Sequence, residues 1–380
     1  DVSGFRYDDL ALREPKDGRD VKLSIDARIQ KLAEEALGGR NGAAVVLDPS
    51  CGDVLAMAST PGFDPNQFIP SIPAAEWKVL MDNPAKPMIN RAISGAFPPG
   101  SIFKPIVALA TLQNELAGAQ TAFSCPGYFE LGRSRFRCWY TPGHGLLNMR
   151  QAIQHSCNVY FFRLGLLCGN EPIYHMATAM GLGQKMGISL DAEVTGLVPN
   201  DGWKRQTQGD GWRDGDTCNM SIGQGFLTVT PLQMAMATAA IANGGKLYRP
   251  RLVLGVQSPD RESFHTIQPE ILNTLHWPAD AIKLVQGGMF DVVESAEGTG
   301  RLAKIPGIHA AGKTGTAEVG RKHEGKKLGW MIAYAPFEKP KYAIALMVED
   351  AVTGGTTAAP IMQRLLMALF KELEPGKGQG

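Results

Sequence analysis

The sequence contains no run of about 20 uninterrupted apolar residues, the length a helix needs to cross a bilayer. Its opening, "DVSGFRYDDL", has none of the charged, apolar and small-residue succession of a secretory leader. The expectation is a soluble chain, either by nature or because an anchor lies outside it. An excess of either charge is missing too: 38 Lys and Arg stand against 37 Asp and Glu, so no overall field draws the chain to nucleic acid or an anionic membrane. The main basic run, "RSRFRC" (133–138), comes without an aromatic stacking platform and reads as a solvated face, not a nucleic-acid site. Internal repeats and low-complexity segments are absent, which excludes solenoids and sticky linkers. With 380 residues, one large domain or two smaller ones both fit, and composition does not choose.

What is present is a patterned chain whose two ends resemble each other. "VKLSI" (21–25) alternates like a short strand, Asp26 is placed to cap a helix, and Ile29, Leu32, Ala33, Ala36 and Leu37 recur at helical spacing before Gly38 and Gly39. "AAVVLD" and "DVLAMAS" flank the turn "PSCG" and predict a hairpin with largely buried faces. Near the far end "GIHAAGKTGTAEV", "GWMIAYAP" and "KYAIALMVED" predict three strands, the last two joined by "FEKP". A closing helix comes after them, with Pro360 at its start and an apolar stripe of Ile361, Met362, Leu365, Leu366, Leu369, Phe370 and Leu373. The middle, about 66–300, reads as helical patches with Gly/Pro-rich connections. A sheet built from both ends is therefore expected to be antiparallel and helix-covered, an α+β arrangement with a large helical insertion.

The chemistry begins at "FPPGSIFKP" (97–105). Ser101 and Lys104 are three residues apart at a predicted helix start, on one face. A serine hydroxyl is a weak nucleophile until a base takes its proton, and a lysine desolvated in an apolar helix has its pKa lowered enough to serve. A helix start also points backbone N–H groups at a developing oxyanion. Alone, S-x-x-K is a common accident, since Ser is a frequent N-cap and Lys a frequent surface residue. Here "HSCN" adds Ser156 and Asn158 as S-x-N, and "AGKTGTAE" adds Lys313, Thr314 and Gly315 as K-T-G on a predicted strand, the order of a known serine-acylase set. In that reading Gly315 leaves room for a substrate backbone along the strand edge, and Lys313, Thr314 and Thr316 suit a terminal carboxylate. The N–H groups of Thr316 and Ser101 make an oxyanion pair, Ser156 relays a proton to a leaving amine, and Asn158 donates to a substrate amide oxygen.

At this point the chain resembles the class B penicillin-binding proteins, the serine D,D-transpeptidases that cross-link bacterial peptidoglycan. "LSIDARIQKLAEEAL", "VLDPSCGDVLAMASTPGFDPNQF", "FPPGSIFKP", "SIGQGFLTVTPLQMAMATAAIANGG", "GKTGTAEV" and "AAPIMQRLL" are similar to family signatures in family order, from about residue 15 to residue 373. "WKR" (203–205), "GDTCNMSIGQG" and "FRCWYTPGHG" resemble the elongation branch more than the division branch; Asn158, where many elongation relatives have Asp, departs from it. The resemblance implies the penicillin-recognising fold, with a five-stranded antiparallel sheet, helices over it and a mostly helical subdomain at about 66–300. It implies a transpeptidase domain over 21–375, a pedestal or linker remnant at 1–20 and a tail at 376–380. It further implies a serine acyl-enzyme at the D-Ala-D-Ala end of peptidoglycan stem peptides and acylation of Ser101 by β-lactam antibiotics. The implied partner is a membrane glycosyltransferase of the elongation machinery, the implied location the periplasmic face of the inner membrane, with the anchor outside this chain. Acyl transfer in the family needs no cofactor.

Six cysteines remain: Cys51, Cys125, Cys138, Cys157, Cys168 and Cys218. Cys125, Cys138, His144 and Cys157 form C-x12-C-x5-H-x12-C, four soft ligands ending inside the second motif, enough for a tetrahedral zinc although no tight C-x-x-C pair occurs. Some elongation-branch relatives hold zinc at a similar run, so one structural zinc is expected; a Cys125–Cys138 disulfide is the alternative. Cys51 falls in a hairpin turn, Cys168 and Cys218 read as small buried hydrophobes, and His155, His309 and His323 are left outside the site. The polar loop "GRKHEGKK" (320–327) is a candidate gate beside the third motif. The competing functions are a division-branch transpeptidase, a β-lactam hydrolase or D,D-carboxypeptidase, and a non-enzymatic antibiotic sensor or scaffold.

Overall fold

Five strands supplied by the two ends of the chain form one antiparallel sheet in the order Ala311–Glu318, Lys327–Ala335, Tyr342–Val348, Gly42–Leu47, Val54–Thr60. The computed structural model describes residues 18–259, 261–320 and 325–372. The proposed remnant before residue 18, His323 with the core of the candidate gate, Leu373 and the tail all lie outside the described residues.

The central strands explain the layering. Every residue of Gly42–Leu47 and of Tyr342–Val348 is buried, so both faces must be covered, which suits runs rich in Val, Ile, Leu and Ala with no alternation. One cover is the helix Pro231–Ala242, "PLQMAMATAAIA", apolar all round and buried at all twelve positions, as a helix without a polar face must be. Its start is set by Thr230 and Gln233, which satisfy each other's backbone N–H groups in a capping box, with Pro231 at a position needing no donor. The other cover is Ala27–Leu37, packed against Ala359–Glu372. Asp26 does cap Ala27–Leu37, accepting from Arg28 N at 2.9 Å, and the five residues of its predicted stripe are the buried ones.

The middle of the chain is less purely helical than its sequence reads. Besides the helices it holds the ribbons Ala122–Cys125 with Gly145–Asn148, Tyr128–Leu131 with Ser134–Arg137, and Lys246–Tyr248 with Ile271–Thr274. Val253–Gln257 pairs with both Val21–Leu23 and Phe264–Thr266. These strands are three to five residues long, too short to impose a period of two that stands out from loop sequence. Two of the ribbons lie directly beside the cleft that gathers the three motifs.

Candidate active site

Ser101 lies in a tight 3-10 turn, Gly100–Phe103, which runs into the helix Lys104–Gln113. In such a turn residues i and i+3 eclipse, so Ser101 and Lys104 share one side more closely than in an α-helix. The turn is pinned to the sheet: Trp330 Nε1 donates to Pro98 O at 3.0 Å, and Gly100 N donates to Gly223 O at 2.8 Å. Gly100 and Gly223 both have positive φ, 58° and 73°, and a Cβ on Gly223 would stand 2.0 Å from Gly100 O. Only glycine gives both the backbone angle and the close approach here.

Lys104 is fully buried, and burial pushes its pKa down to about 8 against the opposing pull of the Cys157, Cys138 and Cys125 thiols. Its Nζ donates to Ser156 O at 2.7 Å and Asn158 Oδ1 at 2.8 Å and reaches Ser156 Oγ at 3.3 Å. Ser101 Oγ makes no hydrogen bond among the described residues. Catalytic hydrogen bonds of this kind often tighten only when substrate is bound.

Ser156 is delivered by the junction of two helices, Met149–Gln154 and Asn158–Cys168. An Asn148–Gln151 capping box starts the first, and Cys157 N donating to Ala152 O at 3.0 Å closes the turn between them. Ser156 takes φ of +53°, a left-handed conformation unusual for serine, and such departures gather where a side chain must be aimed. Its Oγ accepts from Lys313 Nζ at 2.7 Å as well, so one hydroxyl joins the amines of two motifs that are 209 residues apart (313 minus 104). Lys313 is also fully buried, and burial followed by the proximity of Lys104 drives its pKa well below the ordinary lysine range. Two amines meet at one buried oxygen, and their burial and mutual proximity disfavour the charged form of Lys313.

Ala311–Glu318 is the edge strand that faces the serine turn. Its Thr314 O accepts from Lys313 Nζ at 2.9 Å, and Thr316 O lies 3.5 Å from Gln224 Nε2, so these carbonyls point away from the neighbouring strand. In an antiparallel ladder the N–H of a residue points the same way as its C=O, which turns the Thr316 N–H toward the cleft beside Ser101. Gly315 has a structural purpose that the sequence did not show. A Cβ there would meet Pro99 O at 2.8 Å and Ile102 N at 3.1 Å, so the missing side chain makes room for the serine turn itself.

Three residues with no role in the sequence reading complete this wall. Thr314 Oγ1 donates to Thr299 Oγ1 at 2.9 Å, Gly354 N donates to Thr316 Oγ1 at 3.0 Å, and Gln224 sits over Thr316 O. The glycines bracketing Gln224 in "SIGQG" were the only sequence signal, since Gly223 and Gly225 both take positive φ.

Behind Ser156 the donor atoms of Cys125, Cys138, His144 and Cys157 all lie within 4.8 Å of one another. His144 Nδ1 is 3.6 Å from Cys125 Sγ and 3.5 Å from Cys138 Sγ. A tetrahedron with metal–sulfur bonds of about 2.3 Å and metal–nitrogen bonds of about 2.0–2.1 Å has sulfur–nitrogen edges of roughly 3.6 Å, which is the length of the two edges from His144 to Cys125 and Cys138. All six cysteines are free thiols. Cys138 is pushed down, chiefly by its hydrogen bond with Cys157, and Cys157 is pushed up by the same bond and by burial. His144 Nε2 is buried without a hydrogen-bond partner among the described residues. Of the residues set aside, Cys168 and Cys218 are buried, and His309 pairs with Glu338 at 3.0 Å on the surface.

The sequence pattern of the penicillin binding protein transpeptidase domain matches residues 42–367. The peptidoglycan D,D-transpeptidase MrdA of Acinetobacter baumannii is 38% identical over 363 residues, covering 92% of this chain and 54% of that protein. The D,D-transpeptidase PbpA of Mycobacterium tuberculosis is 34% identical, covering 94% of this chain and 74% of its own. The chain thus spans little more than half the length of the MrdA relative. Among solved structures, Pseudomonas aeruginosa PBP2 in complex with WCK 5153 superposes with a TM-score of 0.87 at 34% identity, covering 95% of this chain and 77% of that one. PBP2 of Helicobacter pylori in complex with MreC gives 0.82 at 32% identity, over 93% and 64%. The fold, the three motifs in order and these matches together make the chain a member of the penicillin-binding protein transpeptidase family, most similar to penicillin-binding protein 2.

Proposed function

We propose that the chain is the acyl-transferring part of an elongation-branch peptidoglycan D,D-transpeptidase, acting on the D-Ala-D-Ala end of stem peptides and acylated by β-lactams at Ser101. The observation that carries this is the pair of buried amines, Lys104 and Lys313, meeting at Ser156 Oγ beside the serine turn and the open strand edge. Lys104, at about 8, is within reach of the neutral form that a general base needs.

In the forward step Ser101 Oγ forms a bond to the penultimate D-Ala carbonyl carbon and its proton passes to Lys104 Nζ. The oxyanion is held by the N–H groups of Ser101 and Thr316. Collapse breaks the C–N bond, and the leaving amine of the terminal D-Ala takes a proton through Ser156 Oγ, which is resupplied by the lysines. The carboxylate of that D-Ala pairs with Lys313, favouring its charged form, and bonds to the Thr314 and Thr316 hydroxyls. Asn158 presents Oδ1 to Lys104 and leaves Nδ2 for the substrate's amide oxygen. The amine of a second stem then attacks the ester, the proton path runs in reverse, and Ser101 is released.

Cys125, Cys138, His144 and Cys157 would hold one zinc; the pedestal and membrane anchor would belong to the remainder of a longer envelope protein on the periplasmic face of the inner membrane, and its partner would be a separate membrane glycosyltransferase of the elongation machinery. Bound by those four side chains, zinc supplies rigidity, since four protein ligands leave no position for water.

Intact-mass measurement with benzylpenicillin, followed by addition of a D-amino acid acceptor, tests the reading. A persistent adduct on Ser101 and transfer of a D-Ala-D-Ala donor to the acceptor support it. No adduct sinks it; rapid hydrolysis of the adduct points to a β-lactam hydrolase, and a stable adduct with no transfer to any amine points to a sensor.

A further inference from the structure

The basic run at residues 133–138 has no part in acyl transfer itself, yet the structure sets it at the mouth of the cleft. Ser134–Arg137 pairs with Tyr128–Leu131 as a hairpin whose inner face is fixed, the rings of Phe136 and Phe129 lying 5.4 and 6.2 Å from that of Phe162. Strand alternation then sends Arg135 and Arg137 outward, and Cys138, buried in the thiol cluster, returns the chain inward before exposed Trp139. Trp139 is 56% exposed but held, its Nε1 donating to His155 O at 3.0 Å. Tyr128 stands directly across from Arg137. The fold thus brings Tyr128 beside the run, and Trp139 follows the run directly in sequence.

The charges on this face are unequal in their commitments. Arg135 is taken by Glu130 at 2.6 Å and lies 4.3 Å over the Tyr128 ring. Arg137 has no carboxylate within ion-pair distance among the described residues, and its side chain is exposed. Its backbone, in contrast, is in the site: Asn158 Nδ2 reaches Arg137 O at 3.4 Å. A peptide whose acyl-side amide lies at Asn158 Nδ2 therefore passes the backbone of Arg137 as it leaves the cleft.

We propose that Arg137, framed by Tyr128 and Trp139, is a specificity-determining residue that binds a free carboxylate on the acyl side of the scissile bond. The occupant is an acidic peptide, and the inference rests on the acyl-transfer reading. Two extended residues span roughly 7 Å, so the carboxylate belongs one or two residues before the reacting D-alanine. A guanidinium with unused donors favours a carboxylate over its amide through charge-assisted bonds.

The test uses two pairs of acyl donors, peptide thioesters ending in D-alanine whose members differ only in a carboxylate or a carboxamide, placed one residue before the D-alanine in the first pair and two residues before it in the second; the pair with the larger ratio is the one read. Mass spectrometry gives the second-order rate constant for acyl-enzyme formation with each, and the ratio within the pair is the readout. We expect a ratio of about ten in the native protein, near one in Arg137→Gln and intermediate in Arg137→Lys. Because each variant is its own control, a general loss of activity does not mimic the effect. A native ratio near one, or an unchanged ratio in Arg137→Gln, overturns the proposal. Failure of all donors and of benzylpenicillin to label Ser101 removes the acyl-transfer reading and this one with it, an outcome distinct from labelling without discrimination.

Discussion

The two walls of the cleft are built on different physics. On one side Ala311–Glu318 is held by a ladder of backbone hydrogen bonds to Lys327–Ala335, eight residues in register without a break. On the other side Ser156 and Asn158 sit among four-residue ribbons and a helix junction, with Cys125, Cys138, His144 and Cys157 gathered behind them. A ladder gives position through many identical small bonds, so no single side chain decides it. The loop wall depends on a few side chains, and its geometry is correspondingly sensitive to the state of four donor atoms.

Substitutions can set these walls against each other. The largest effect is expected where they meet. Ser156→Ala removes the hydroxyl shared by Lys104 and Lys313, and acylation by benzylpenicillin should slow by about a thousandfold, in the range of a lost acid–base relay, with little change in Tm. A rate within tenfold of the native protein would mean the two walls do not communicate through that oxygen.

Next, Gly223→Ala inserts a Cβ 2.0 Å from Gly100 O and should displace the serine turn from the strand wall. About a hundredfold loss of acylation rate is expected, the size associated with a misplacement of about 1 Å. Zinc content should stay as in the native protein, because the loop wall is untouched.

Cys138→Ser addresses the loop wall alone. Metal analysis should fall from about one zinc per chain to none, Tm should drop by several degrees, and acylation should fall by roughly tenfold. Equal zinc content in native protein and variant would refute the assignment of these four donors. The smallest effect belongs to the ladder side: Thr299→Val removes one partner of Thr314 Oγ1, and a two- to fivefold loss of acylation is expected, since the register persists without that bond.

The same contrast explains which features are readable without a structure. Motif residues announce themselves because acyl transfer needs particular functional groups at short spacing, as with Ser101 and Lys104 or Lys313 and Thr314. The sheet strands announce themselves because burial on both faces demands long apolar runs. Thr299, Gln224 and Gly354 gave almost no signal, because each acts on Thr314 or Thr316 across a distance in sequence that no local pattern spans. The ribbons between 122 and 148 were missed for a related reason. Their stability comes from contacts such as Phe136 on Phe162, not from their own four residues.

Alone, the sequence determined the α+β class, the strands and helices at both chain ends, the three motifs and the four soft ligands, because these depend on residue type and near-neighbour spacing. Tertiary structure decided the rest. It brought two buried lysines to one serine hydroxyl and so lowered their pKa values, put Ser156 in a left-handed turn, made Gly315 a contact for the serine turn, and placed the backbone of Arg137 beside Asn158. Each of these depends on burial or on approach between segments far apart in the chain, and neither quantity exists until the chain has folded.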